Sequence, residues 1–138
     1  MFNISYLRGK KFGAVTIQTR QLVCLVEIFN LFYKINNKKI WVKTITPDLY
    51  HYMNYLVLAY WIMGDGAKRN KGVTLCTDGF TLSEVILLIN ILILKFNIQP
   101  SIHKEKKGYR IYINKIDLDT LRPFLVPHFT PHFLYKII

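Results

Sequence analysis

Residues 56–66 read LVLAYWIMGDG. An apolar run of helix-forming residues meets Gly64, Asp65 and Gly66. Asp-Gly is a common turn pair, so the stretch reads first as a helix stop. The acid is physically odd there. The C-terminal end of a helix carries partial negative charge and favours Lys, Arg or His. Whether Asp65 is more than a turn residue depends on the sequence around it.

The chain has 138 residues, of which 51% are hydrophobic. That length suits one domain with a real core, and the composition is not that of a disordered chain. The charge is lopsided: 19 Lys and Arg against 8 Asp and Glu, formally +11. A folded domain this basic is expected to meet a polyanion, either nucleic acid or an acidic membrane surface. The abundance of Tyr, Phe, Ile, Asn and Lys fits an A+T-rich coding genome, such as that of an organelle. Cys24 and Cys76 lie far apart in apolar or strand-like context, which is neither a disulfide framework nor a zinc pattern. His128 and His132 are spaced i,i+4, but Pro127 and Pro131 preclude the regular helix that would make them a ligand pair. The longest apolar run, residues 85–94, contains Asn90 and is flanked by Glu84 and Lys95, too short to span a bilayer. No membrane partner is expected. The N-terminus is basic and lacks acids until Glu27, as in a transit peptide, yet FGAVTIQT within it reads as a strand.

Along the chain, residues 12–19 alternate as a strand, with Thr16, Gln18 and Arg20 on its polar side. RQLVCLVEIFNLFYKI, with Leu22, Leu25, Val26, Phe29, Phe32 and Tyr33 at helical spacing, predicts an amphipathic helix running into the polar turn NNKK. A linker over 40–48 ends at Thr46 and Pro47, which look like an N-cap and a first-turn proline for a helix from Leu49 to Met63. A basic loop, AKRNKG, precedes a strand at VTLCT. Thr81 and Glu84 form a capping box, with Phe80 and Val85 as its hydrophobic staple, for a helix reaching Phe96. That helix is apolar nearly all round and is expected to be deeply buried. SIHKEKKGYRIYIN reads as a hairpin turning near Lys107 and Gly108, followed by a helix over 117–125. The order strand, helix, lysine occurs twice, from Gly13 to Lys39 and from Gly108 to Lys136, a faint internal repeat.

The polar strand faces carry Thr16, Gln18 and Arg20; His103, Glu105 and Lys107; and Arg110, Tyr112 and Asn114. Long donors and aromatics on a twisted antiparallel sheet can enter a major groove and read base edges. Lys10, Lys11, Lys68, Arg69 and Lys71 are placed to contact phosphates from loops. Each alone is an ordinary solvated residue. Their combination with the net charge points to nucleic acid. Hydrolysis of a phosphodiester needs a carboxylate to hold a divalent cation, and Asp65, fixed at the end of a packed helix between two small residues, suits that role.

LAYWIMGDG at 58–66 resembles the motif of LAGLIDADG homing endonucleases, in particular the two-motif organelle-intron type whose second motif reads like LAYWFMDDG. LCTDGFTLSEV at 75–85, GYRIYI at 108–113, PHFLYKI at 131–137 and FNLFYKINNKK at 29–39 resemble further family segments, in the family's order. The resemblance implies an α+β fold of αββαββα halves, each offering an antiparallel DNA-binding sheet, with motif helices meeting at a pseudo-two-fold axis. It implies that Asp65, with the Gly64 backbone carbonyl, binds Mg2+ or Mn2+. It also implies that Lys39 and Lys136, which in isolation read as solvated loop lysines, lie near the scissile phosphates.

Two departures matter. Gly64 stands where an acid is common, at a position that is not the metal ligand. Residues 1–39 match only the end of a first half (strand, helix and lysine-bearing turn), whereas 40–138 match a complete second half, so one metal-binding acid is expected in this chain. The implied function is site-specific cleavage of a double-stranded DNA target, intron homing, by a homodimer or with a complementary LAGLIDADG half. The alternatives are an intron-encoded maturase that binds intron RNA without cutting, and an inactive remnant. An organelle-encoded protein, mitochondrial or from another organelle, is implied.

Overall fold

A computed structural model of the chain describes residues 2–7, 10–15, 18 and 20–138, the first two segments by their backbone alone. Strands β1 (Phe2–Leu7) and β2 (Lys10–Val15) pair antiparallel. A 3-10 turn at Val23–Leu25 leads into α1 (Val26–Phe32), followed by a hairpin of β3 (Tyr33–Ile35) and β4 (Trp41–Lys43). The side-chain oxygen of Asn36 accepts from the N–H groups of Lys38 and Ile40 and closes that hairpin.

This front region departs from the sequence expectation. The strand expected over 12–19 lies instead over Lys10–Val15, so Lys10 and Lys11 open a strand and not a loop. Thr16, with Ile17 and Thr19, falls outside the described residues; Gln18 and Arg20 are exposed and lie beyond the strand. The expected long helix ends at Phe32. Tyr33 and Ile35 pair with Lys43 and Trp41, because aromatic and β-branched residues fit a pleated ladder. Phe29 stacks on Tyr33 at 4.7 Å and meets Trp41 edge-on at 5.0 Å, which fastens α1 to the hairpin.

Helix α2 (Leu49–Tyr52) is a single turn. The helix expected from Leu49 through Met63 breaks at Met53 and Asn54. Asn54 is extended, and its side chain accepts from the Val57 N–H at 2.9 Å, so it caps a new helix, α3 (Tyr55–Asp65). An Asn N-cap satisfies one orphan donor and is worth about 1 kcal/mol. The cap expected at Thr46 does not form: Asp48 precedes α2, with no side-chain cap bond. From α3 the chain passes directly into β5 (Gly66–Arg69), turns at Asn70 and Lys71, and returns as β6 (Gly72–Leu75). The stretch read as a basic loop is therefore largely a strand. Helix α4 (Leu82–Phe96), strands β7 (Ser101–Glu105) and β8 (Gly108–Ile113) and helix α5 (Lys115–Leu125) complete an αββαββα unit. Two 3-10 turns, Val126–His128 and Pro131–Lys136, follow.

The sheet has the order β5-β6-β8-β7, with every pair antiparallel. Its inner face supplies Val73, Leu75, Ile111 and Ile113, all fully buried. Over these lie Leu58, Ala59, Ile62 and Met63 of α3, Val85, Leu88, Ile89, Ile91 and Leu92 of α4, and Leu118, Leu121 and Leu125 of α5. Each large apolar side chain contributes roughly 1.5–3 kcal/mol. The start of α4 is held as its sequence predicts. Thr81 accepts from the Glu84 N–H, and Glu84 accepts from the Thr81 N–H at 2.8 Å. Glu84 also accepts from the Thr44 hydroxyl at 2.8 Å, which ties the segment before α2 to this cap. Full burial of α4 does not occur: Ile86 and Leu94 are exposed, on a face that no described element covers.

Candidate nucleic-acid interface and metal-binding carboxylate

The two glycines around Asp65 have different jobs. A Cβ on Gly66 would lie 2.4 Å from the Ile62 carbonyl oxygen, so only glycine permits the helix to turn straight into β5. A Cβ on Gly64 would meet nothing within 4 Å, so Gly64 leaves open space beside the carboxylate. The end of α3 is well anchored. The Gly66 N–H donates to the Ile62 carbonyl, and the Cys76 N–H donates to the Asp65 carbonyl at 3.1 Å. The Asp65 side chain itself is exposed. A rigid stem thus presents a free carboxylate, a hard oxygen donor suited to a divalent cation. Among the described residues, no group of three His, Cys, Asp or Glu could hold a metal. Asp65 offers one hard oxygen donor group, and a cation held there would need further oxygen ligands.

Lys136 and Lys39, paired by the sequence repeat, have unlike surroundings. Lys136 is 7% exposed, and its ammonium donates to the carbonyls of Met63, at 2.6 Å, and Ile62, at 3.4 Å. It supplies the cation that a helix C-terminus favours and that Asp65 does not. Lys39 is exposed in the β3–β4 turn with φ at 59°. The lysine that shares a groove with Asp65 is Lys43, which sequence reasoning passed over. The groove, about 340 Å³, is lined by Phe32, Val57, Trp61 and Phe80 among others, and the Lys43 ammonium rests 4.9 Å from the Phe80 ring centre.

Strand register sorts the expected nucleic-acid contacts. Ile111 and Ile113 face the core, so Arg110 and Tyr112 face outward, with His103 directly opposite Arg110. His103 and Tyr112 stack at 4.9 Å. Arg69 lies on the outer face and pairs with Glu105, which holds the Glu105 carboxyl below its ordinary range. Lys68 alternates to the other face, and its ammonium donates to the Ile138 carbonyl at 2.7 Å. Lys71 and Lys107 are exposed at hairpin turns. Asn114 is not a free reading residue: its side chain accepts from the Asp117 N–H and donates to the Asp117 carboxylate, capping α5. Arg110 is committed to Asp78 through two hydrogen bonds of 2.9 and 2.8 Å. Asp78 was not foreseen as part of this surface. The Arg110 guanidinium draws its carboxyl down to about 2, against the opposing effect of desolvation.

The fold is that of a homing endonuclease. The structure of the homing endonuclease I-WcaI bound to its DNA recognition sequence matches 100% of this chain and 63% of its own, with a TM-score of 0.85 and 31% identity. The family model described as the LAGLIDADG DNA endonuclease family matches residues 2–121, and the chain belongs to that family. Similar proteins include the cytochrome b mRNA maturase bI2 of Debaryomyces hansenii, 35% identical over 79% of this chain and 42% of the relative. A probable intron-encoded endonuclease 1 of Wickerhamomyces canadensis is 38% identical over 78% of this chain and 48% of the relative. The intron-encoded endonuclease ai4 of Dictyostelium discoideum is 32% identical over 80% and 68%. The chain thus spans about half the length of the first two relatives.

Proposed function

We propose that this chain is part of a site-specific, intron-encoded DNA endonuclease that binds a double-stranded target on the outer face of the β5–β8 sheet and hydrolyses it at Asp65. The observation that carries the reading is the exposed Asp65 carboxylate on an anchored helix end, beside a surface rich in Arg, Lys and stacked aromatic rings. A divalent cation, Mg2+ or Mn2+, bound there would polarise the phosphate and lower the pKa of an attacking water. Asp65 and the Gly64 carbonyl would hold it from this side. Lys136 would act on Asp65 through the helix end it clamps, and Lys39, in its exposed turn, would reach phosphate.

A second carboxylate must come from a second copy or from a complementary LAGLIDADG half. The open space over Gly64 supports close approach of another motif helix. Residues 1–39 are then read as the end of a first half and 40–138 as the second, and the likeness to a cytochrome b mRNA maturase favours an organelle, such as the mitochondrion, as the source.

The test is cleavage of duplex DNA spanning the intron-free insertion site, with and without Mg2+ and the complementary half. Asp65→Asn should abolish cutting and leave binding within about twofold, since it removes a metal ligand and not a DNA contact. Cutting that survives the substitution refutes the assignment. The likeness to an mRNA maturase favours a second reading, intron-RNA binding without cleavage. In that case splicing assistance persists in Asp65→Asn, and the unaltered chain cuts nothing.

A further inference from the structure

Arg110 reaches outward from β8, and its guanidinium is fixed in direction. Nε donates to one Asp78 oxygen at 2.9 Å and Nη2 donates to the other at 2.8 Å. This side-on fork is the strong, planar form of the arginine–carboxylate pair. Asp78 is itself held. It lies in the loop between β6 and α4, and its backbone presses on Gly108 so closely that a Cβ there would come within 3.0 Å of the Asp78 carbonyl. The neighbouring Thr77 hydroxyl donates to the Tyr109 carbonyl on β8. Loop and strand are thus fastened together at Thr77 and Asp78.

A guanidinium carries five N–H donors. The pair with Asp78 uses two, and among the described residues no acceptor takes the other three. In this planar group, one free N–H on Nη1 and one on Nη2 together make an end-on fork. That end-on fork has the shape that meets O6 and N7 of guanine in a major groove. Strand register puts Arg110 on the outer face, and the Arg110 and Asp78 side chains stay 32% and 20% exposed there. The neighbouring acid, Glu105, is engaged by Arg69, and the adjacent His103–Tyr112 stack gives a flat wall beside it.

We propose that Asp78 is a positioning residue that orients Arg110 to read one guanine of the target duplex by a bidentate major-groove contact. It follows that the β6–α4 loop, and not the strands alone, sets specificity at that base pair. The proposal rests on the DNA-binding reading above. A phosphate contact by Arg110 would instead add affinity equally to every sequence.

The experiment selects bound sequences from a pool of double-stranded DNA randomised across the site, for the unaltered chain and for Asp78→Asn, Asp78→Glu and Arg110→Lys. The unaltered chain should require guanine at one position. Arg110→Lys keeps the charge but lacks the fork, and should lose that preference by roughly 5- to 160-fold, the range of a bidentate base contact. Asp78→Asn should lose several-fold of it at the same position, and Asp78→Glu should retain more, with preferences elsewhere in the site unchanged. The proposal is overturned if either Asp78→Asn or Arg110→Lys leaves the preference intact, or if they weaken all sequences alike. If the unaltered chain enriches no duplex sequence, the DNA-binding reading falls as well, so the two failures are distinguishable.

Discussion

Lys136 brings an ammonium to the carbonyl end of α3, two residues before the carboxylate that α3 presents. Replacing it with Met keeps most of the stem but leaves the Met63 and Ile62 carbonyls without that donor. A hydrogen bond from a charged group is worth about 1.5–3 kcal/mol, so Lys136→Met should lower the thermal midpoint by several degrees. An unchanged midpoint in thermal denaturation would show that the clamp contributes nothing. Asp78 makes a pH prediction. Its carboxyl titrates at about 2 in the fold, against a reference value of 3.8. A depressed carboxyl contributes stability above its unfolded pKa and loses it as pH falls through its folded pKa. The window is therefore from about 4 down to about 2. Urea midpoints measured across that window should fall less steeply for Asp78→Asn than for the unaltered chain. Parallel curves would mean that the Arg110 pair does not survive in solution.

At the scale of elements, the glycines flanking Asp65 give opposite predictions. Gly64 sits in a helix with open space at its Cβ position, so Gly64→Ala should stabilise the chain by about 0.5–1 kcal/mol. Gly66→Ala places a Cβ 2.4 Å from helix backbone and should destabilise it while displacing Asp65. Calorimetry of the two variants distinguishes these outcomes, and equal effects would contradict the proposed division of labour. How well elements could be read in advance follows the range of their causes. The capping box at Thr81 and Glu84 and the turn near Lys107 and Gly108 are written in adjacent residues, and both formed where expected. Asn54 was equally local, but it lay inside an apolar pattern that reads as one helix from Leu49. The β3 strand was concealed because Tyr33 and Ile35 also suit a helix, and their partners Lys43 and Trp41 lie across a turn. Asp65 could be singled out because an acid at a helix end conflicts with local electrostatics. Asp78 could not, since nothing short-range connects it to Arg110, and the packing of Gly108 under its loop and the Thr77–Tyr109 hydrogen bond bring them together.

At the scale of the whole molecule, α3 buries one side and, among the described residues, leaves the other exposed. Leu56, Tyr60 and Gly64 follow one another at helical spacing on the exposed side, with Tyr60 64% exposed, and the 3-10 turn and α1 add Val23, Val26 and Ile28 to the exposed apolar surface. A helix that is apolar all round is ordinarily enclosed, and exposed apolar area on this scale marks an interface. The same side leads to the space over Gly64, and Asp65 ends the adjacent row of Val57 and Trp61. A partner helix laid along it would therefore cover the apolar stripe and bring a second carboxylate near the first. Burial and chemistry would then be satisfied by a single contact. Tyr60→Asp tests this coupling. Tyr60 lies outside the core, so the variant should fold with a thermal midpoint near that of the unaltered chain. A charge at the centre of the stripe should abolish assembly with a second copy or a complementary half, seen by sedimentation, and DNA cleavage should disappear with it. Asp65→Asn should abolish cleavage while leaving sedimentation unchanged. If Tyr60→Asp assembles normally, or if cleavage persists in the unassembled chain, the stripe is not the contact that completes the metal site.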